Sequence, residues 1–489
     1  MRSRIRSYLA GASVSAAAAA GCQTPAPQPR TPDPYPAAIS RVASSPAAAV
    51  PPSVIPAAAA VPAGESALGV LPTAAVPANT PTAAGVLTVA DLEQLALANN
   101  PTLAQAAAYV EAARGKALQA GLPFNPTVGM EAEQIGADRT AGEVRWFTLQ
   151  QQIVTGGKLR LSRLKYLQEA DLAEIQAQAQ RLRVVNGLAI AYFDVLAAQR
   201  SVENERRLRD NADEAVKTTQ QLVNVGQGNE QDLLQAEVEA GQARVGLRNA
   251  ESRLRQDWTH LATLVGVPDL PQQPLVGQLE PDGPALTWDA SLARLLQESP
   301  ELAFAVAKVK QDQTTVQRER REPIPNVTVR GGVGYNFETR NNTADVAFSV
   351  PLPAFDRNQG TVRQAMADQA RSQAEVTRVQ LDLRRRLSDA FARYEMARDE
   401  VENFRDLVVP KARKAAELYE EQFKARRAAY PQVLVTRRTV FQLSEEYNQA
   451  LVKFRRAEVE VRGLLLIDGL SAPRDPTPPG HIGATPRPR

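Results

Sequence analysis

The sequence contains one cysteine and two histidines among its 489 residues, and each of these small numbers argues against a particular kind of bond or site. Because Cys22 is alone, the chain cannot form an internal disulfide. His260 and His481 are too few for the imidazole clusters that most metal and acid–base sites use. The formal net charge is only +3, from 57 basic and 54 acidic residues. This balance gives no electrostatic reason to expect nucleic acid as a partner.

Long apolar runs and catalytic motifs are also missing. No run of about 20 apolar residues follows the N-terminal segment, so no transmembrane helix is predicted. The sequence has no phosphate-binding loop, dinucleotide fingerprint, HExxH, CxxC or nucleophile elbow. Its acidic and basic pairs recur at helical surface spacings, which indicates ion pairing. We therefore expect a protein that is not an enzyme, with no cofactor and no metal site.

The N-terminus has the pattern of an export signal. A basic start precedes SYLAGASVSAAAAAGC, a short apolar stretch typical of a signal peptide over residues 1–21. Its last letters resemble a bacterial lipobox, although Ala19 stands where leucine is usual. The resemblance implies that Cys22 carries a lipid; the alternative is an ordinary cleaved signal and a chance cysteine. Gln23 follows in place of aspartate, which favours the outer membrane over the inner membrane.

Composition divides the rest of the chain. Residues 22–86 are rich in proline and alanine and predict a flexible tether. Residues 469–489 form a disordered tail of the same character. The part between them divides into two repeats, 87–268 and 287–468, joined by the linker 269–286.

Similar short sequence segments recur at a constant offset along the chain, and they indicate the repeat. NNPTLAQ from Asn99 matches ESPELAF from Glu298, and SVENERRL from Ser201 matches EVENFRDL from Glu400. The order and the spacing agree at both places, which chance does not explain well. Each half reads as a helix, two strands, a long helix and a second long helix. The strands are expected at about 126–153 and 326–352, and the long helical hairpins at about 157–266 and 358–468.

The predicted strands alternate between apolar and polar residues. In NVTVRGGVGYNF, Thr328, Arg330 and Asn336 fall on one face. Period two with one apolar face is typical of a half-buried strand. Four such strands are too few to close a barrel, whereas three chains supply twelve. The other face of this segment carries Val327, Val329, Val333, Tyr335 and Phe337.

The long helices carry apolar residues at heptad spacing, which is typical of coiled coils. In the first half no proline interrupts the pattern between Gly157 and Asn224. In the second half Pro410 should kink or open the helix, because it removes one backbone hydrogen bond. The predicted seam consists of Val184, Leu188, Ala191, Val195, Ala198 and Val202 in the first half, and Leu383, Leu387, Ala390, Tyr394, Ala397, Val401, Phe404 and Val408 in the second.

These features together resemble the TolC-like outer membrane efflux proteins over about residues 87–468. NPTL and SPEL resemble family landmarks, and PLPAFDRNQG is similar to a junction of the CzcC-type, heavy-metal branch. The resemblance implies a mostly α-helical homotrimer with a small β part, built from two tandem helix–strand–strand–long helix–helix repeats. Its twelve strands would form one outer-membrane β-barrel, continuous with a periplasmic α-helical tunnel. The implied partners are a periplasmic adaptor and an inner-membrane pump of the resistance-nodulation-division type.

Two groups of residues are candidate sites. The strand-to-helix junctions, expected to link barrel and tunnel, contain Pro351, Pro353 and Gly360 in the second half and Gly156 and Gly157 in the first. The hairpin turns are the implied periplasmic tips and adaptor contacts. The first turn is better explained by a helix C-cap at Gly226 than by a ligand loop. In the second, Arg426 stands where the family commonly has glycine. The tip residues are Gly226, Gly228, Arg426, Arg427, Tyr430 and Pro431.

The resulting expectation is a passive export duct of a tripartite efflux system, whose energy comes from the pump. The junction resemblance favours heavy-metal cations such as cobalt, zinc or cadmium as cargo, and drugs or other small molecules are the alternative. A periplasmic coiled-coil adaptor or scaffold is a second alternative, but adaptors typically have one hairpin, and here there are two. A hydrolytic enzyme is disfavoured by the missing site.

Overall fold

The computed structural model describes residues 87–136, 142–425, 427 and 430–473. Its elements follow one plan twice. The first half comprises α1 (Val89–Asn99), α2 (Pro101–Gly121), β1 (Thr127–Glu133), β2 (Glu143–Ile153), α3 (Lys158–Asn224) and α4 (Glu230–Val265). The second comprises α5 (Trp288–Glu298), α6 (Pro300–Arg321), β3 (Val327–Asn336), β4 (Asn341–Ser349), α7 (Gln359–Asn403), α8 (Val409–Lys424) and α9 (Tyr430–Arg462). The mostly helical fold class with two tandem repeats is confirmed.

Local sequence explains where the first helices begin and end. Thr88 and Asp91 form a capping box at the start of α1, which satisfies the free amides there. Asn100 then ends α1 and caps α2, whose first residue is Pro101. The side chain of Asn100 is buried and donates to the carbonyl of Leu264, 2.8 Å away. The break between α1 and α2 is therefore also a contact with the far end of the first hairpin.

The heptad seams form the core. Val184, Leu188 and Val195 of α3 are buried in the same cluster as Leu383 and Leu387 of α7. Burying each large aliphatic side chain contributes roughly 1.5–3 kcal/mol. By length and composition α3 is apolar enough to cross a membrane, since one window has a mean hydropathy of 1.2, but half of that window is buried among the other helices, and core helices can pass the same test.

The linker between the halves crosses the helices and ties them together. Tyr192 of α3 donates to the carbonyl of Val276, and Trp258 of α4 donates to Leu270. From the second half, buried Arg455 of α9 donates to Leu279 and pairs with Asp282. Both repeats are therefore hydrogen-bonded to the same linker.

A π-turn interrupts the second hairpin, as Pro410 led us to expect. α7 ends at Asn403, Phe404–Val408 form the π-turn, and α8 begins at Val409. A π-turn holds about one residue more than an α-turn. The predicted seam positions Phe404 and Val408 are consequently only half-buried, and Val409 is buried instead. The extension of the seam through Val408 was thus wrong by one residue.

Candidate functional site

One antiparallel sheet of order β1-β2-β3-β4 joins the halves. β2 of the first half pairs with β3 of the second, from Glu143 opposite Asn336 to Ile153 opposite Val327. In the described part of the chain, β1 and β4 each have only one partner strand. Both outer strands therefore present a free edge.

The apolar face of this sheet is exposed. Val346 is 71% exposed and Phe348 is 72% exposed. In a water-soluble sheet the apolar face is the one that packs on a core. The large apolar residues on this surface are Val128, Met130, Trp146, Phe147, Leu149, Ile153, Val333, Val346 and Phe348.

The polar face is more enclosed than the apolar face. Thr148 of β2 is only 6% exposed, and the side chain of Arg145 is 16% exposed. In the described residues, no helix of the chain has extensive contact with this face. The enclosure is therefore best explained by curvature, with the polar face on the concave side.

An ion network links all four strands on the concave face. Arg145 of β2 lies 3.0 Å from Glu133 of β1, 3.0 Å from Asp345 of β4 and 3.7 Å from Glu143. Arg330 of β3 pairs with Glu131 of β1, which also lies 3.5 Å from Arg145. These six are all the charged residues of the four strands.

Two glycines of β3 make room for Arg145. A Cβ on Gly334 would lie 2.8 Å from the Cα of Arg145 and 3.0 Å from its Cγ. A Cβ on Gly332 would lie 2.7 Å from the carboxylate of Asp345. The glycines therefore let the arginine lie flat across the neighbouring strand.

The first strand-to-helix junction turns on two glycines. Gly156 and Gly157 have φ of 66° and 69°, in the region that favours glycine. Ile324 covers Gly156, where a Cβ would lie 3.0 Å from that side chain. Lys158 donates to the carbonyl of Ile324, 2.8 Å away, and so ties the start of α3 to the α6–β3 connection.

The second junction uses asparagine where we expected glycine. β4 ends at Ser349, because Pro351 and Pro353 have no amide hydrogen for the ladder. Asn358, with φ of 57°, precedes α7, and Gly360 is already the second residue of that helix. The side chain of Asn358 donates to Glu319 of α6. Asparagine tolerates this conformation, a signal that could have been recognised in the sequence.

The first hairpin turn has the expected cap. Gly226 has φ of 71°, and the amide of Gln227 donates to the carbonyl of Leu222, 2.9 Å away. With the bond from Gly226 to Val223 this is a Schellman motif. Gly228 packs against Leu222, since a Cβ there would lie 3.1 Å from it.

The second hairpin turn contains a backbone hydrogen bond that corresponds to the one from Gln227 to Leu222 in the first turn. The amide of Arg427 donates to the carbonyl of Gln422, 2.8 Å away. Tyr430 stacks on Phe423 with ring centroids 5.1 Å apart, and burial raises the pKa of its hydroxyl. Pro431 is the second residue of α9. Arg426 and Cys22 lie outside the described residues.

Buried charges lie between the helices that adjoin the sheet. Lys165 and Glu169 of α3 and Arg318 and Glu319 of α6 are all buried. Glu169 pairs with Lys116 of α2, 2.8 Å away. Burial lowers the pKa of Lys165 to about 8. The carboxylates of Glu319 and Glu169 counteract this shift, whereas the positive charges of Lys308 and Arg318 add to it.

Lys165 should make stability depend on alkaline pH. Its folded pKa lies below the ordinary value of 10.5, so the unfolded chain binds the extra proton between pH 8 and 10.5. Its contribution to stability therefore rises with pH across that window and is constant below it. We expect the unfolding free energy of the wild type, relative to Lys165→Met, to rise by about 3 kcal/mol from pH 7 to 10.5. Chemical denaturation in detergent measures the difference, and a constant difference would contradict the assignment.

In the described residues, no group of three or more histidine, cysteine, aspartate or glutamate side chains is arranged to hold a metal ion. The concave face is a polar, charged surface that can border a passage. Sequence reasoning placed Arg330 there but missed Arg145, because alternation shows which face a residue occupies and not which carboxylates surround it.

The sequence and fold match known channels. The family model of the outer membrane efflux protein matches residues 92–267 and 292–465. The cobalt-zinc-cadmium resistance protein CzcC of Cupriavidus metallidurans is 28% identical over 388 residues, covering 78% of this chain and 90% of that protein. The pyoverdine export outer membrane protein OpmQ of Pseudomonas putida is 24% identical over 406 residues, covering 76% and 83%.

A solved structure of CusC, from work on its folding and transmembrane channel formation, superposes on this chain with a TM-score of 0.65 at 18% identity. The match covers 78% of this chain and 92% of that one. The family consists of outer membrane efflux channels, which are passive ducts and not enzymes, and it resides in the bacterial outer membrane. With both repeats matched by the family model, the chain belongs to the outer membrane efflux protein family.

Proposed function

We propose that three copies of the chain close into one twelve-stranded barrel that continues into a helical tunnel. The exposed apolar face with its two free edges is the observation that carries this proposal. In lipid, an unpaired strand edge is not tolerated, so β4 of one copy must pair with β1 of the next. Two copies would give eight strands, whose side chains fill the interior. Three copies are therefore the smallest closed assembly that leaves a duct.

The helices support the same closure. α2 packs on α3, α3 on α6, and α6 on α7, so α2 and α7 are the outer helices of this layer. α2 leads into the free strand β1, and α7 follows the free strand β4. Closing the sheet would therefore also bring α7 of one copy towards α2 of the next, which closes the tunnel wall.

The proposed cargo is heavy-metal cations that are cobalt-, zinc- or cadmium-like. The duct itself is passive, and an inner-membrane pump supplies the energy. The relation to CzcC supports this cargo. The concave face also supports it, because four carboxylates and two guanidinium groups leave a formal charge of −2 per chain. Export of small molecules is the second candidate, supported by the relation to OpmQ.

Deletion of the gene tests the cargo. We expect tolerance to at least one of cobalt, zinc and cadmium to fall several-fold, with drug and siderophore sensitivity unchanged. A plasmid carrying the full chain should restore tolerance, and one carrying Val346→Arg should not. Unchanged metal tolerance with increased sensitivity to drugs would assign the small-molecule cargo instead.

The remaining proposals concern attachment and partners. The turns at Gly226 and Tyr430 are proposed to meet a periplasmic adaptor, and Pro351 and Pro353 to set the barrel-to-tunnel junction. Cys22 is proposed as the lipid attachment point. Labelling with radioactive palmitate that persists in Cys22→Ala would contradict the anchor, and normal assembly after replacement of both prolines would contradict the junction role.

A further inference from the structure

We propose that Arg145 and the carboxylates around it set the ion selectivity of the barrel, which passes cations in preference to anions. The inference rests on the trimeric closure proposed above, since a single open sheet encloses no passage. It concerns transport selectivity and requires no bound ion.

The charge lies on one face only. Glu131, Glu133, Glu143 and Asp345 share the concave face with Arg145 and Arg330, and the other face of the four strands carries no charged residue. In the closed trimer the three networks add to a formal charge of −6 inside one ring. The lipid outside offers no countercharge and little screening. The potential inside the ring is therefore negative, which concentrates cations.

Arg145 limits that potential. It lies within 3.7 Å of carboxylates on three strands, so one guanidinium partly neutralises four acids. The groove over Gly332 and Gly334 keeps its stem against the sheet. Because the side chain is held in place, its charge is a fixed part of the wall. Removing this charge would leave −3 per chain and strengthen the cation preference.

Two neighbouring asparagines provide a test that leaves the network intact. Asn341 lies opposite Asn336, on the concave face, two residues from Thr343, which donates to Glu143. Asn342 lies opposite Tyr335, on the convex face. Both are exposed. Asn341→Asp and Asn342→Asp thus make the same chemical change at the same level on opposite sides of the wall.

The experiment measures reversal potentials of the purified full-length trimer in planar bilayers across a potassium chloride gradient. We expect the wild type to prefer K⁺ over Cl⁻. Asn341→Asp should raise the permeability ratio about twofold, and Asn342→Asp should leave it unchanged. Arg145→Gln should raise it as well, and high salt should reduce the difference between the variants by screening.

Several outcomes would overturn the proposal. An unselective or anion-selective pore would do so, as would equal effects of the two asparagine variants. If Arg145→Gln fails to assemble, the asparagine pair still decides. If the wild type forms no trimer and no pore, the trimeric closure itself is wrong, an outcome that size-exclusion and crosslinking separate from an unselective pore.

Discussion

Val346→Arg should prevent stable assembly of the channel in the outer membrane, although Val346 is 71% exposed in the isolated chain. In water such a change at an exposed position has a small effect. On the lipid face of a barrel, an arginine near the bilayer midplane costs about 2–4 kcal/mol, and a trimer has three of them. The fraction of the protein recovered as a heat-modifiable oligomer from outer membranes measures the effect.

Thr343→Arg is the matched control. Thr343 is on the same strand but faces the concave side, where its hydroxyl donates to Glu143, 2.8 Å away. An arginine there can pair with that carboxylate in water. We expect assembly close to that of the wild type. Equal assembly of the two arginine variants would show that Val346 does not face lipid.

Gly266→Ala should destabilise the chain by about 3 kcal/mol or more, because two effects act at one position. Gly266 has φ of 84° at the end of α4, where a side chain adds roughly 1–2 kcal/mol of strain. A Cβ there would also lie 2.5 Å from the carbonyl oxygen of Asn99. Relieving this contact would move Asn100 away from Leu264, with which it shares a buried hydrogen bond. Chemical denaturation in detergent measures the change.

Gly226→Ala separates the two effects. Gly226 also ends a hairpin helix with positive φ, but a Cβ there meets nothing within 4 Å. It should therefore lose only the conformational part, about 1–2 kcal/mol. A loss as large as that of Gly266→Ala would show that backbone conformation, and not the contact with Asn99, dominates.

Periodicity predicted the elements that depend on it. The seam through Val184, Leu188 and Leu383 is buried because heptad spacing puts these residues on one side of each helix. The alternation of β3 likewise separates Arg330 from Val329. Both patterns are local, so a sequence without a structure can show them.

Features that depend on contacts between distant residues could not be predicted in the same way. Asn358, which precedes α7, donates its side-chain hydrogen bonds to Glu319 of α6, a contact that the sequence alone does not show. Arg145 gathers carboxylates from β1 and β4, which are far apart in the sequence. The sequence also suggested that Val350 and Leu352 continue β4, whereas the strand ends at Ser349.

The π-turn before Pro410 makes the second hairpin of the chain different from the first. α3 runs through 67 residues without a break, whereas its counterpart is divided by the π-turn Phe404–Val408. The wider turn shifts the apolar seam by one residue, so that Val409 is buried where the heptad spacing predicts Val408. The two hairpins are therefore not equivalent at this level. The six hairpins of a trimer would then alternate between two kinds, and the free end would have threefold symmetry. A protein that docks there in identical copies would have to accept two different environments.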